Sequence, residues 1–266
     1  MSRRAVVAKT YKLYLGGKFV RSESGRSDAV SGANVPRASR KDVLDAVKAA
    51  RGAQAGWAAK TAYNRGQVLY RFAEALESRS EELTREGSAD ELGEAVDLLV
   101  HYAGWTDKLA AVMGGINPVA APYLSFSVPE PTGVVAVLAP DEPDVLGLIR
   151  EIAPALAAGN TVVALISRRS PLRALDLGEV AGVSDVPGGV LNLLSGRMDE
   201  LLAPLCGHRD VNAIVDATGD AELAATIDEH AAETVKRVTR PAADGDSLGR
   251  LEALVELKTA WHPVGV

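Results

Sequence analysis

The chain has 266 residues, of which 47% are hydrophobic and 24% charged, and its formal net charge is −6. This balance is ordinary for a globular protein and argues against broad nucleic-acid binding, because neutralising phosphates needs clustered Lys and Arg. No apolar run approaches the ~20 residues of a membrane span, and the N-terminus lacks the apolar core of a secretory signal. With the single cysteine, Cys206, these features predict a cytoplasmic protein without a membrane partner, an internal disulfide or a multi-cysteine metal site.

The N-terminal part of the sequence predicts a hairpin and three helices. In residues 11–20, Gly16 and Gly17 lie between two strand-like arms, and glycine tolerates the positive φ of tight hairpin turns. Helical periodicity then predicts three antiparallel helices, over residues 39–55, 64–86 and 90–113. Trp57 falls in a short connector, where we expect it to anchor the core rather than to bind a ligand.

The central stretch predicts a strand, a helix and a second strand of a parallel sheet. Residues 134–138 and 162–166 are unbroken apolar runs, which is the pattern of strands covered on both faces. Between them apolar side chains recur at helical spacing, and Gly159 supplies the stop. The first strand runs into the loop 140–143, and open α/β sheets bind ligands at that edge.

That loop carries two adjacent carboxylates, Asp141 and Glu142. They could act as acid and base or as metal ligands at the strand end. A solvated acidic loop is the simpler interpretation, and it is the one we favour.

The remaining segments complete an α/β pattern. The sequence predicts strands over 122–128, 190–194 and 213–215, helices over 171–181 and 220–230, a linker over 240–250 and a final strand from 254 to 261. The fold class is therefore α/β: a Rossmann-like open parallel sheet with helices on both faces, preceded by an N-terminal hairpin and helices, with a small projecting β arm.

Several segments, in this order, resemble the NAD(P)-dependent aldehyde dehydrogenases. They are HYAGW at 101–105, EPTGVV at 130–135, PALAAGNTVV at 154–163, PGGVLN at 187–192 and KRVT at 236–239. The resemblance implies a cofactor-binding domain over 1–116 and 133–240 and an oligomerisation arm over 117–132 and 248–266. Residues 241–247 then form a linker in place of the family's catalytic domain.

The cofactor-binding positions of that family are degenerate in this chain. Where the family has Pro-Trp-Asn-aromatic-Pro, whose Asn donates to the oxyanion, the chain has Pro140, Asp141 and Glu142. The positions that hold the adenosine ribose correspond to Leu165 and Arg168. The small residues that admit the pyrophosphate correspond to a turn from Asp216 to Gly219, and an acidic residue there opposes phosphate.

The catalytic groups of the family are missing as well. The segment that should lead from Thr239 to the glutamate base leads into Arg240 and Pro241 instead. Cys206 lies in a polar turn where the family has no nucleophile, two residues before His208, so we interpret it as a structural cysteine. We therefore expect no catalytic residues and no metal site; no cofactor is expected, although residual NAD(P) binding is possible.

Two hypotheses follow. The first is a catalytically inactive subunit that docks through its arm on a full-length aldehyde dehydrogenase paralogue or forms a homo-oligomer, since in the family the arm packs on the neighbour's catalytic domain. The expected interface residues are Tyr123, Leu124, Phe126, Val128, Leu254, Leu257 and Trp261. The alternative is an NAD(P)-dependent aldehyde oxidoreductase or a nucleotide-binding protein that uses a remodelled cleft. On the first hypothesis, removing residues 252–266 abolishes docking and leaves the α/β domain folded.

Overall fold

The computed structural model describes residues 9–84, 88–242 and 247–264, and these form three sheets and ten helices. The strands are β1 (Leu13–Leu15), β2 (Lys18–Val20), β3 (Ser27–Val30), β4 (Ala33–Pro36), β5 (Gly115–Asn117), β6 (Tyr123–Pro131), β7 (Val134–Leu138), β8 (Thr161–Leu165), β9 (Leu191–Leu194), β10 (Ala213–Asp216), β11 (Arg237–Thr239) and β12 (Val255–Pro263). The helices are α1 (Arg40–Ala58), α2 (Ala62–Ser78), α3 (Ser80–Leu83), α4 (Ala89–Trp105), α5 (Leu109–Met113), α6 (Asp144–Ala157), α7 (Pro171–Gly182), α8 (Met198–Cys206), α9 (Ala221–Ala232) and α10 (Ser247–Glu252).

The main sheet has seven strands in the order β11-β10-β7-β8-β9-β1-β2. The first five are parallel, and the predicted N-terminal hairpin continues the sheet in the antiparallel sense, with Tyr14 opposite Leu193. Every residue of β7 and β8 is buried, which explains their unbroken apolar sequences. The Rossmann-like parallel sheet that the sequence predicts is thus confirmed.

Helices cover both faces of this sheet. On one face α6 and α7 share a core cluster with Val135 and Val137, and α2 and α4 pack on α6. On the other face α1, α8 and α9 share a cluster with Val134 and Ala136. The three predicted helices are present as α1, α2 and α4, but they do not form one layer, because α1 lies on the opposite face of the sheet from α2 and α4. No helix that the described residues form combines the length and apolar character needed to cross a bilayer.

The boundaries of the N-terminal helices also differ from the prediction. Trp57 belongs to the last turn of α1, where its ring is buried and its Nε1 donates to the Leu156 carbonyl (3.1 Å), so it is a core anchor within a helix rather than in a connector. The second predicted helix divides at Arg79 into α2 and α3, and its expected end at Glu86 lies outside the described residues. The third ends at Trp105, where the buried Thr106 hydroxyl donates to the Ala103 carbonyl (2.9 Å).

The start of α1 follows the sequence prediction closely. The Ser39 hydroxyl accepts from the Asp42 N–H, and the Asp42 carboxylate accepts from the Ser39 N–H (2.7 Å), which together form a capping box. Asp42 also accepts from the Ser22 hydroxyl (2.8 Å). The cap therefore fixes the first turn of α1 against the preceding loop.

The predicted linker is partly helical. Among its described residues, α10 begins at Ser247, and its Arg250 forms a buried ion pair with Glu151 of α6. The linker prediction missed this helix because its Gly and polar composition is typical of a loop. Packing on α6 decided the outcome, since a six-residue helix is not stable by itself.

The arm is a three-stranded antiparallel sheet with the order β12-β6-β5. Its register pairs Leu124 with His262, Phe126 with Ala260 and Ser125 with Trp261. Because directly opposed residues of an antiparallel pair lie on the same face, Leu124 and Trp261 are on opposite faces. Strand pairing between the two predicted arm segments is observed, and the expected interface residues of these strands are divided between the two faces of the arm.

Candidate functional site

The candidate site is a cleft of about 480 Å³ at the carboxyl edge of the main sheet. It lies between the loops that follow β7 and β10, where the strand order reverses, and this is the position at which open α/β sheets bind ligands. Four of the sequence-predicted positions line it: Pro140, Glu142, Asp216 and Gly219. The tertiary fold thus brings together two loops that are more than seventy residues apart in sequence.

The other three predicted positions do not line the cleft. Asp141 accepts hydrogen bonds from the Ser167 hydroxyl (3.1 Å) and the Arg168 N–H (3.2 Å), so it joins the loop after β7 to the loop after β8. The side chain of Leu165 is buried in the core with α1 and α8. The carboxylate pair 141–142 is therefore divided, one member holding a neighbouring loop and the other lining the cleft.

The turn between β10 and α9 uses its own side chains to bind its N–H groups. The Asp216 carboxylate accepts from the Thr218 N–H (3.2 Å) and hydroxyl (2.6 Å). The Asp220 carboxylate accepts from the N–H groups of Glu222 (2.9 Å) and Leu223 (3.2 Å) at the start of α9. A helix N-terminus attracts an anion through such free N–H groups. Here the Asp220 carboxylate already occupies the place of the anion at α9, and Asp216 binds the preceding turn.

Arg240 crosses the cleft beside this turn. Its Nε lies 2.9 Å from the buried Asp216 carboxylate, and another guanidinium nitrogen lies 2.8 Å from Asp228 and donates to the Ala224 carbonyl (3.1 Å). Arg240 thus fastens the segment after β11 to both β10 and α9. The positive charge that could attract a phosphate is neutralised by two carboxylates.

These contacts decide whether the cleft fits the dinucleotide cofactor that the fold implies. A pyrophosphate needs free N–H donors and positive potential at the helix N-terminus. The turn instead presents the carboxylates of Asp216 and Asp220, which already accept hydrogen bonds from its N–H groups. Glu142 lines the same cleft and adds a third carboxylate. The residues present do not fit the pyrophosphate group.

A buried ion pair lies behind the cleft. The guanidinium of Arg250 contacts Glu151 and also donates to the Ala242 carbonyl, so α10 and the segment after β11 are both held against α6. Burial raises the pKa of Glu151, and Arg250 opposes that shift. A smaller cavity of about 220 Å³ separates this pair from Arg240.

Cys206 is the last residue of α8 and is fully buried, so the polar turn expected around it was wrong. Burial raises the pKa of its thiol to about 12, which leaves it protonated and poorly nucleophilic at neutral pH. His208 Nδ1 accepts from the Asp210 N–H (3.1 Å), so that nitrogen is used within its own turn. Neither residue lines the cleft.

Sequence reasoning missed two cationic residues of the site, Arg150 and Arg240. Arg150 is one residue before Glu151 on α6, and its helical position relative to Gly147 could have placed it near the cleft. Arg240 was assigned to the linker, and no local signal marks its contact with Asp216. Among the described residues, no group of three or more His, Cys, Asp and Glu side chains could hold a metal ion.

The seven expected interface residues occupy three different environments. Leu124, Phe126 and Val128 share one face of the arm sheet, whereas Tyr123, Leu257 and Trp261 share the other, where the Tyr123 and Trp261 rings meet edge to face. Leu254 is only 2% exposed, packs in the core and cannot contribute to a docking surface. Ile116 of β5, opposite Phe126, extends the first face and is 77% exposed, and sequence reasoning did not single it out.

Comparison with known proteins places this architecture in one family. The family model described as "Aldehyde dehydrogenase family" matches residues 24–241. DhaS of Bacillus subtilis is 32% identical over 250 residues, covering 86% of this chain and 50% of that protein. The mitochondrial aldehyde dehydrogenase family 2 member B4 of Arabidopsis thaliana is 33% identical over 223 residues, covering 76% and 41%.

Solved structures agree with the sequence matches. The aldehyde dehydrogenase of Bacillus cereus, in its NAD⁺ complex, superposes with a TM-score of 0.82 at 28% identity, covering 87% of this chain and 50% of that one. The chain spans about half the length of the relatives it matches. The family match over residues 24–241, together with this superposition, establishes that this chain belongs to the aldehyde dehydrogenase family.

Proposed function

We propose that this chain is a non-catalytic member of the family that docks through its arm on a full-length aldehyde dehydrogenase. The observation that carries the proposal is the apolar arm face, which we define as Ile116, Leu124, Phe126 and Val128. Three of these side chains are at least 40% exposed, although they stand in a row on one small sheet. Exposed apolar rows of this kind mark interaction surfaces.

The chemistry of the cleft supports a non-catalytic role. A family reaction needs a thiolate, a base and an oxyanion donor at the cleft. The cysteine is buried in α8 with a raised pKa, and the loop after β7 supplies Glu142 where an oxyanion donor is needed. A carboxylate at that position repels a developing negative charge.

The short connection between the two domains supports the docking role. β11 ends at Thr239 and β12 begins at Val255, so the chain passes from the main sheet to the arm through residues 240–254. The resemblance implies that the family's catalytic domain occupies this place and receives the arm of a neighbouring subunit. A chain that offers an arm without this receiving surface needs a complete partner. Its expected location is the cytoplasm, which cell fractionation can check.

Affinity capture tests this proposal. The tagged chain is co-expressed with a full-length aldehyde dehydrogenase from the same source, and the eluate is analysed by mass spectrometry and size-exclusion chromatography. Leu124→Asp should remove the complex, because it places a charge on the apolar arm face. Val183→Asp is the matched control, since Val183 is exposed after α7 and away from the arm. An equally strong complex with Leu124→Asp would contradict the proposal.

The alternative function is binding of a nucleotide or another small molecule in the remodelled cleft. One observation favours it: the cleft keeps a volume of about 480 Å³, with the small residues Ala217 and Gly219 on its wall and Arg150 beside it. Titration calorimetry of the isolated chain with NAD and NADP distinguishes this function from docking. A micromolar Kd for NAD or NADP would favour the nucleotide-binding function.

A further inference from the structure

The starts of α4, α6 and α7 meet at a buried cluster of three charged side chains, Glu91, Asp144 and Arg173, which we call the helix-start cluster. Arg173 lies between the two carboxylates, with one guanidinium nitrogen 3.0 Å from Glu91 and another 3.1 Å from Asp144. Asp144 is 5% exposed and Arg173 is 7% exposed. These side chains belong neither to the lining of the cleft nor to the arm strands.

The two carboxylates of the cluster bind the first turn of α6, which Pro143 precedes without offering a side-chain cap. The Asp144 carboxylate accepts from the Val145 N–H (2.7 Å), and the Glu91 carboxylate accepts from the Leu146 N–H (3.1 Å). A residue of α4 thus satisfies a free N–H group of α6. Pro143 lines the cleft, so the cluster lies directly behind the cleft wall.

The charges of the cluster do not balance when both carboxyl groups are ionised. Two carboxylates and one guanidinium leave a net charge of −1 away from water, and an uncompensated buried charge is strongly destabilising. One added proton makes the cluster neutral. Asp144 Oδ2 is the atom that can carry it, because it is buried and accepts no hydrogen bond from the residues that the structure describes.

The described elements packed around the cluster bring no second cation to it. The buried side of α2, which packs on α6 and α7, has only apolar residues and Gly66. Arg250 of α10 pairs with Glu151, about two turns further along α6. Arg168 and Arg169, in the loop before α7, are exposed.

The other titratable groups of α4 and α7 are exposed or already paired. Glu94, Asp97 and His101 lie on the exposed side of α4. On α7, Asp176 and Glu179 form ion pairs with Lys9, and Glu179 also pairs with Arg79. The charge balance at Asp144 therefore depends on Glu91 and Arg173.

The direction of the pKa shift agrees with this count of charges. Burial raises the pKa of Asp144, and the Arg173 charge and the Val145 N–H oppose the shift. Glu91 raises this pKa further, by its charge and by a hydrogen bond with the protonated carboxyl. A carboxyl whose folded pKa is raised contributes stability below its unfolded pKa and loses it as the pH rises through the folded value. Rising pH therefore weakens the cluster.

We propose that the helix-start cluster is a proton-linked switch, which holds one proton between Asp144 and Glu91 when closed and releases it when the start of α4 separates from α6 and α7. On opening, the proton passes from the carboxyl pair to water, both carboxylates become solvated and Arg173 keeps its charge. The Leu146 N–H loses its acceptor at the same time, so the first turn of α6 and the adjoining cleft wall loosen together. Because the switch does not use the arm, its failure and the failure of docking are separate results.

Amide hydrogen exchange of the full chain from about pH 5 to about pH 9 tests the switch. Protection factors, corrected for the intrinsic exchange rate at each pH, are measured for the first turns of α4 and α6. The amides of α1, on the other face of the sheet, are the internal reference. Because opening releases one proton, we expect protection relative to α1 to fall by up to about tenfold per pH unit, and by at least about tenfold over the range.

Two variants should remove this pH dependence. In Asp144→Asn a neutral amide takes the place of the protonated carboxyl and has no proton to release. Glu91→Gln removes the same charge from the α4 side and should give the same flat profile, so the test does not depend on the folding of one variant. Asp90→Asn is the matched control, since Asp90 is exposed in the same turn of α4, and it should keep the slope of the parent chain.

Infrared spectroscopy supplies a readout that a purely structural ion pair would not change. At about pH 6, above the ordinary pKa of exposed carboxyl groups, the parent chain should show the C=O stretch of a protonated carboxyl that is missing from Asp144→Asn. Protection that does not change with pH relative to α1, or a slope that survives in both Asp144→Asn and Glu91→Gln, would overturn the proposal. So would a difference spectrum without the protonated carboxyl.

Discussion

The side-chain amide of Asn160 donates a 2.9 Å hydrogen bond to the backbone carbonyl of Leu254, where the main domain passes into the arm. The oxygen of the same side-chain amide accepts a hydrogen bond from the Gly133 N–H (2.8 Å), just before β7. Asn160 is fully buried, so these bonds form away from water. The arm and the parallel sheet therefore share one buried polar junction, and residues up to Val255 belong to the core.

This junction changes the expected result of truncation. Removing residues 256–266 should leave the main domain folded, because none of the described residues of that segment, 256–264, belongs to the core clusters. Removing residues 252–266 also deletes Leu254 and leaves a donor of Asn160 without its partner. That shorter chain should lose at least the ~2–5 kcal/mol of a deleted buried leucine in urea unfolding. Equal stability of the two truncations would contradict the assignment of Leu254 to the core.

The isolated chain should not oxidise aldehydes with NAD or NADP. The thiol is buried in α8, and the loop after β7 carries carboxylates where an oxyanion needs a donor. Nicotinamide absorbance with a panel of short aldehydes is the measurement, and Cys206→Ala is the control. Turnover that disappears in Cys206→Ala would identify the thiol as a nucleophile and overturn the non-catalytic assignment.

The Cys206 thiol also makes a pH-dependent contribution to stability. Its pKa is about 12 in the folded chain, against about 8.5 for an exposed thiol. Since the folded value is the higher one, this contribution is complete below about pH 8.5 and is lost as the pH rises toward the folded pKa. The difference in unfolding free energy between the parent chain and Cys206→Ala should fall by ~1.4 kcal/mol per pH unit in that window. A pH-independent difference would mean that the thiol is exposed.

The buried pair Glu151–Arg250 should be costly to break from one side. Arg250→Met leaves a buried carboxylate without its partner, and we expect a loss of about 3–5 kcal/mol in urea unfolding at neutral pH. Adding Glu151→Gln should recover part of this loss, because a neutral amide needs no counter-charge. If Arg250→Met matches the parent chain in stability, α10 is not anchored on α6.

The Arg250→Met deficit should depend on pH. Burial already raises the pKa of Glu151, and the variant loses the guanidinium that opposes this shift. A carboxyl whose folded pKa is raised contributes stability below its unfolded pKa and loses it as the pH rises through the folded value. The deficit should therefore be smaller near pH 5 than near pH 8, which paired unfolding curves will show.

Nicotinamide cofactors should bind weakly, with a Kd of roughly millimolar or higher in titration calorimetry. The reason is the turn after β10, where the carboxylates of Asp216 and Asp220 already accept hydrogen bonds from the N–H groups that a pyrophosphate needs. Asp220→Asn keeps a capping side chain but removes one negative charge, so it should strengthen binding relative to the parent chain. A micromolar Kd for the parent chain would show that the cleft accepts the cofactor despite these carboxylates.

Local sequence patterns predicted most of the sheet. Strands such as β7 and β8 are apolar throughout because both faces are covered, and the helix between them has a clear period and a glycine stop. The predicted start of α1 at residue 39 agrees with the structure as well, because Ser39 and Asp42 interact within one turn. These features depend on residues close together in the chain, and so they can be recognised without the fold.

Tertiary contacts decided what no local pattern encodes. The helix α10 forms because Arg250 meets Glu151 across 99 residues of sequence, and Arg240 becomes part of the cleft because it meets Asp216. The sequence by itself determined the family, the parallel sheet and the two arm strands. Only the tertiary structure decided that Leu124 and Trp261 lie on opposite faces of the arm, because strand register depends on long-range pairing and on which residues face one another.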